Sequence, residues 1–208
     1  TMNEAMRIGL ALAATLGWSG LVAASVVRHR RTRVAVAPAA ILVVDASQTG
    51  NAVALGDATA AALTASGCAV TRIGIAALRP DHLRATDAAL FVAATTGEGD
   101  PPDDAAPFLH AWHAAPPALG HLHYAVLALG DRHYRHFCAF GNQLDALLRR
   151  AGAQQRFDRV EVDAGDPGAI RHWQQSLRLF GAATDLPDWQ PPAYRRWRLA
   201  ERTHLNPG

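Results

Sequence analysis

Three short stretches, Ile41–Asp45 (ILVVD), Ala88–Ala93 (AALFVA) and Tyr124–Leu129 (YAVLAL), are apolar at nearly every position rather than at every second one. A strand of that kind cannot present one side to water, so it belongs inside a sheet covered on both faces, the environment of parallel strands. Two further candidates, Ala69–Ile73 and Arg159–Asp163, complete a set of five. Segments of helical character separate them or follow the last: Asn51–Ser66, ended by Gly67; Asp103–Ala114; Phe140–Arg150, ended near Gly152; and Gly168–Phe180. Strands alternating with helices predict an open, doubly wound α/β sheet, whose ligands sit beyond the carboxyl ends of its strands. With 50% hydrophobic and 18% charged residues among 208, the chain has material for one well-filled domain plus additional segments.

The unusual residues cluster at those carboxyl ends. The first strand runs into SQTGNA (47–52), the third into ATTGEGDPPDD (94–104) and the fourth into LGDRHYRHFC (129–138). The first loop leads straight into a helix, whose unpaired amides and dipole favour an anion. Ser47, Thr49 and Asn51 add neutral donors, and Gly50 permits close backbone approach. The turn therefore suits a phosphate, although an ordinary capped helix start gives the same letters. It lacks the Gly-x-x-x-x-Gly-Lys-Ser/Thr pattern of triphosphate loops and the three glycines of a dinucleotide fingerprint.

Taken together, ASQTGNA (46–52), TGEGDPPDDAA (96–106), YAVLALGDRHYRHFC (124–138) and RVEVDAGDPGAIRHW (159–173) resemble the FMN domain of the diflavin reductases, the sulfite reductase flavoproteins in particular. The resemblance runs from about Ile41 to Leu179 and implies a flavodoxin-like five-stranded parallel sheet of order 2-1-3-4-5, within a domain spanning 41–182. It implies that Ser47, Gln48, Thr49, Gly50, Asn51 and Ala52 hold the FMN phosphate. Ala94, Thr95, Thr96 and Gly97 would then line one face and edge of the isoalloxazine ring. Leu129, Gly130, Asp131, Arg132, His133, Tyr134, Arg135, His136, Phe137 and Cys138 would line the other, with Tyr134 as the stacking aromatic and Asp163 as a nearby acid. Thr96 stands where many relatives carry an aromatic, which leaves the second ring face without a stack, and Arg132 and His133 replace small polar residues. The acidic run Glu98, Asp100, Asp103 and Asp104 reads equally as a solvated helix start and as a docking surface for a basic redox partner.

Ahead of the domain, Ile8–Val27 is uncharged and, as a helix, spans about 30 Å, the thickness of a bilayer core. Four arginines follow within Arg28–Arg33, whereas Arg7 before the run is offset by Glu4. The positive-inside rule then predicts a single transmembrane helix with the FMN domain on the cytoplasmic side of a bacterial-type inner membrane, residues 34–40 serving as linker. A cleaved signal peptide is the rival reading, with small residues near Ala23–Ser25 as its cleavage site; a buried soluble helix is the other. Beyond the domain, Pro187, Pro191 and Pro192 predict a stiff linker within 183–208, and RLAERTHLNPG resembles the opening of the FAD/NADPH reductase module of the same family.

Other chemistries find little support. A net charge of +2 argues against a nucleic-acid binder. Cys68 and Cys138 form no disulfide framework, and the pairs His110/His113 and His121/His123 lack the further ligands of a zinc site. A phosphoacceptor receiver would need Asp where Ala93, Ala94 and Thr95 stand. The function expected is an electron-transfer module taking electrons from FAD, itself reduced by NADPH, and passing them to a haem or iron–sulfur partner; no side chain is expected to act as general acid or base. A stand-alone membrane-tethered flavodoxin, or a flavin-dependent quinone or ferric reductase, is the alternative.

Overall fold

The computed structural model describes residues 40–190 together with Arg198, Ala200 and Glu201; the apolar run 8–27, its basic flank and most of the tail lie outside the described residues. Strands β1 (Ile41–Ala46), β2 (Val70–Gly74), β3 (Ala88–Ala94), β4 (His123–Gly130), β5 (Gln154–Gln155) and β6 (Val160–Asp163) alternate with helices α1 (Asn51–Ala65), α2 (Pro80–Arg84), α3 (Ala106–Ala114), α4 (Ala139–Arg150) and α5 (Pro167–Ser176). All pairings are parallel, in the order β2-β1-β3-β4-β5, and β6 also pairs with β4. The expected order 2-1-3-4-5 holds, with a refinement at the edge. The fifth position is shared: β5 pairs with His123 and Tyr124 at the start of β4, β6 with Leu127–Gly130 at its end.

The continuous apolar strands are buried on both sides, as their composition requires. Leu42 and Val44 of β1, Phe91 of β3 and Val126 of β4 face a cluster closed by Phe108 and Trp112 of α3 and Phe140 and Leu144 of α4. Val43, Leu90, Val92 and Leu127 face the opposite cluster, closed by Leu55 and Leu63 of α1 and Ile170 and Trp173 of α5. On that side the Trp173 indole N–H donates to Thr59 Oγ1 (3.0 Å), which joins α5 to α1. Helix α1 stops where expected, at Gly67 with φ +84°, and the Cys68 N–H returns to the Leu63 carbonyl (3.1 Å). Three elements absent from the sequence reading are β5, the five-residue α2, opened by Pro80, and a 3-10 turn at Ile75–Ala77. No helix among the described residues is long and apolar enough to cross a membrane.

At the amino end of β4, away from the three loops, a polar network runs from a buried tyrosine and aspartate out to the surface. The Tyr124 hydroxyl donates to buried Asp145 (2.6 Å), which also pairs with Arg149 (2.9 Å) and Arg159 (2.7 Å). Arg159 continues to Glu161 (2.9 Å). This ties α4 to β4 and to the chain between β5 and β6, and burial together with Asp145 raises the Tyr124 phenol above its ordinary value.

Candidate functional site at the strand ends

Each loop is built by local chemistry before any ligand is considered. In the first, Ser47 Oγ accepts the Gly50 N–H (2.9 Å), which folds the four residues into a turn. Gly50 takes φ +95°, and α1 then begins with no side-chain cap and no acid in its first turn. The first amides of a 15-residue helix thus point outward uncompensated, and Gln48, Thr49 and Asn51 lie exposed around them. Ala52 is fully buried and packs in the core beneath the loop. Beneath the loop, Asp45 pairs with Arg72 (2.8 Å), which also reaches Asp57 (3.1 Å). Burial pushes the Asp45 carboxyl above the usual carboxylate range, and Arg72 opposes that rise.

The second loop is a tight knot. Thr96 and Asp100 exchange backbone bonds (2.9 and 2.8 Å), Thr96 Oγ1 donates to the Asp100 and Pro101 carbonyls (3.1 and 3.2 Å), and Gly97 and Gly99 take positive φ. A Cβ on Gly99 would stand 2.6 Å from His136 Cβ, so this glycine is what lets the second and third loops approach. The acids expected as either helix start or docking surface are partly committed to the loops themselves. Glu98 accepts the Arg135 N–H (3.3 Å) and Asp103 accepts from Gln48 (3.4 Å), while burial raises the Asp104 carboxyl.

In the third loop, Asp131 accepts both the His133 N–H (2.8 Å) and the His133 ring (2.6 Å). The ring hydrogen bond raises the His133 imidazole above its ordinary value, and the His133 backbone N–H, followed by the ring, lowers Asp131. Arg132 lies 4.8 Å from the Phe137 ring centre, and its backbone N–H donates to Asp163 (2.9 Å). Asp163 therefore pins the loop from the end of β6. Cys138 sits at φ +54° with its thiol buried against the Ala128 carbonyl (3.3 Å) and pushed up to about 12 by burial, so it is a structural thiol rather than a reactive one. Tyr134 stands 51% exposed, an aromatic held at the rim instead of in the core.

Between the loops lies a cavity of about 850 Å³. Of the expected site residues it brings together Gln48, Thr49 and Asn51; Ala94, Thr95, Thr96 and Gly97; and Leu129, Gly130, Asp131, Tyr134, His136, Phe137 and Cys138. Ser47, Gly50, Ala52, Arg132, His133, Arg135 and Asp163 do not line it: the bonds above place Ser47 and Asp163 in shaping the loops, and Ala52 belongs to the core. The wall also includes Leu55, Val162, Ala164, Gly165, Pro167, Ile170, Trp189 and Gln190, none of them expected. The AGDPG turn (164–168) carries a turn signal that marks some of these; nothing local marks Trp189.

These residues fit FMN. The uncapped start of α1, free of acids in its first turn, suits a dianionic phosphate, and the exposed Tyr134 ring suits a flat π-system. The cavity volume lies within the usual range for small-molecule sites. Comparison with known proteins agrees. The flavodoxin family model matches residues 43–173. The sulfite reductase [NADPH] flavoprotein alpha-component of Shewanella sp. is 37% identical over 170 residues, 80% of this chain and 27% of that protein. That of Neisseria meningitidis serogroup C is 33% identical over 165 residues, 75% of this chain and 27% of the relative. This chain thus spans about a quarter of the curated relatives it matches. Among solved structures, a Streptococcus pneumoniae flavodoxin superposes with TM-score 0.61 at 26% identity, covering 67% of this chain and 96% of that one. A flavodoxin from Pseudomonas aeruginosa superposes with TM-score 0.57 at 24% identity, covering 66% and 98%. With fold, loops and family model in agreement, the chain belongs to the flavodoxin family, and the cavity between its loops has the size and lining that FMN requires.

Proposed function

We propose that this chain is the electron-transfer module of an NADPH-dependent diflavin reductase, taking electrons from an FAD-containing module and delivering them to a haem or iron–sulfur acceptor, a sulfite reductase haemoprotein being the first to test. The observation that carries the reading is one cavity walled by all three loops, with neutral phosphate donors at Gln48, Thr49 and Asn51 and an exposed aromatic at Tyr134. The likeness to reductase flavoproteins about three times its length supports a larger enzyme. FMN, when bound, supplies the stepwise electron chemistry. The protein's part is binding and tuning. The α1 amides hold the phosphate without a cation, Tyr134 contributes ring contact, and the Thr95–Gly97 backbone meets a polar ring edge. The bonds from Glu98 to Arg135 and from Asp103 to Gln48 preorganise the loops. Exposed Glu98, Asp100 and Asp103 would speed encounter with a basic partner.

The same proposal places residues 8–27 in a bacterial inner membrane with the FMN domain in the cytoplasm, on the strength of the uncharged run and the arginines after it. Purified chain should be yellow, release FMN on denaturation, and accept electrons from NADPH only when supplied with an FAD reductase module. A colourless protein that ignores added FMN overturns the assignment. A full gene product that binds FMN without oxidising NADPH would instead indicate a free-standing tethered flavodoxin.

A further inference from the structure

The segment after the domain was expected to leave it as a stiff linker, but Leu186–Gln190 lies along α5. Arg171 donates to the Leu186 carbonyl (3.2 Å) and pairs with Asp188. The Gln174 amide donates to the Pro187 carbonyl (2.8 Å), and its oxygen accepts the Trp189 N–H (3.3 Å). Polar contacts at four consecutive residues thus hold a strap with no regular secondary structure. At its end the half-buried Trp189 packs on the α1/α5 core and lines the flavin cavity beside Leu55, Pro167 and Ile170. A second cavity of about 390 Å³, between strap and α5, touches the same indole. Trp189 thus borders both cavities and is not sunk in the core.

We infer that Trp189 is a flavin contact, a second aromatic wall that this chain draws from the segment beyond its last helix. Thr96 offers no ring in the second loop, and Phe137 already stacks under the Arg132 guanidinium and packs on the core. Trp189 remains as a large π-surface on the side of the cavity formed by α1 and α5. An indole and a flavin present extended flat faces to each other, and such contacts exceed simple area burial.

The inference rests on the FMN reading above, and the test separates the two. FMN is titrated into the 208-residue chain, in mild detergent, by flavin fluorescence. Wild-type chain that binds no FMN overturns the FMN reading itself. Given wild-type binding, Trp189→Ala should raise Kd about tenfold and Trp189→Phe by no more than about threefold. A folded Trp189→Ala variant with Kd within about twofold of wild type overturns the contact. If that variant does not fold, Arg171→Ala combined with Gln174→Ala frees the strap while leaving the indole in the chain; weakened FMN binding supports the inference and unchanged binding overturns it. Direct contact also has an optical mark. In a Tyr134→Phe background, Trp189→Phe should lengthen the emission lifetime of bound flavin, because an electron-rich quencher has gone; an unchanged lifetime overturns the contact.

Discussion

Gly130 is the last residue of β4, and it carries more of the site than its size suggests. A Cβ built there would stand 2.8 Å from the Cys138 backbone nitrogen, 3.0 Å from its sulfur and 3.1 Å from Phe137 Cδ2. Cys138 cannot easily retreat. It is held at φ +54°, its thiol donates to the Ala128 carbonyl, and its own carbonyl accepts the Asn142 N–H (3.0 Å) in the first turn of α4. Gly130→Ala should therefore cost about 1–3 kcal/mol through overpacking, lowering the urea midpoint by about 1 M. The displaced turn is the one that carries Phe137 and the Tyr134 loop, so FMN affinity should fall with stability. Gly67→Ala is the control. It meets nothing within 4 Å and lies at φ +84° at the end of α1, so it should cost about 1 kcal/mol in backbone strain and leave FMN affinity unchanged. Urea unfolding followed by far-UV circular dichroism, with FMN titration of each variant, reads both quantities. A Gly130→Ala protein with wild-type midpoint and wild-type FMN affinity would refute the reasoning, because it would show that the Cys138 turn yields freely.

Tyr134→Ala should weaken FMN binding by about two- to tenfold and shift the flavin reduction potentials, while Tyr134→Phe keeps most of the affinity; equilibrium titration and spectroelectrochemistry decide. Asp145→Ala leaves the buried Tyr124 hydroxyl without its carboxylate while Arg159 keeps Glu161, and should cost about 1–3 kcal/mol in urea unfolding. The raised His133 contributes to the Asp131 turn fully at pH below its unfolded value, and that contribution is lost as pH rises through its folded one. The lowered Asp131 loses its contribution as pH falls through its own folded value, so the turn is tightest between the two. NMR titration should find His133 above the ordinary histidine value, and Asp131→Asn should bring it back down. Deleting Thr1 to Arg33 should give a soluble FMN-binding protein while the longer chain sediments with membranes; a longer chain soluble without detergent would refute the anchor.

The sheet was legible because β1, β3 and β4 declare double-sided burial in their own composition. The edge was less so: β5 is two glutamines whose strand character comes from the β4 backbone beside them, and α2 is too short for any period to register. At the site, the loops that leave strand ends could be read from glycine and hydroxyl placement. The walls supplied by packing could not. Leu55 and Ile170 reach the cavity as part of ordinary helix faces, and Trp189 arrives only because Arg171 and Gln174 catch the passing chain. The acidic run was ambiguous for a similar reason, since only geometry shows Glu98 and Asp103 spending hydrogen-bonding capacity on neighbouring loops.

The sheet order sets the sequence in which the cofactor pocket can be completed during synthesis. A nascent chain that has emerged as far as Arg150 owns all three loops, yet β4 is then a bare edge, and Val162, Ala164, Pro167 and Ile170 are still to come. Trp189 follows later still. The pocket is thus finished by the last part of the domain to leave the ribosome.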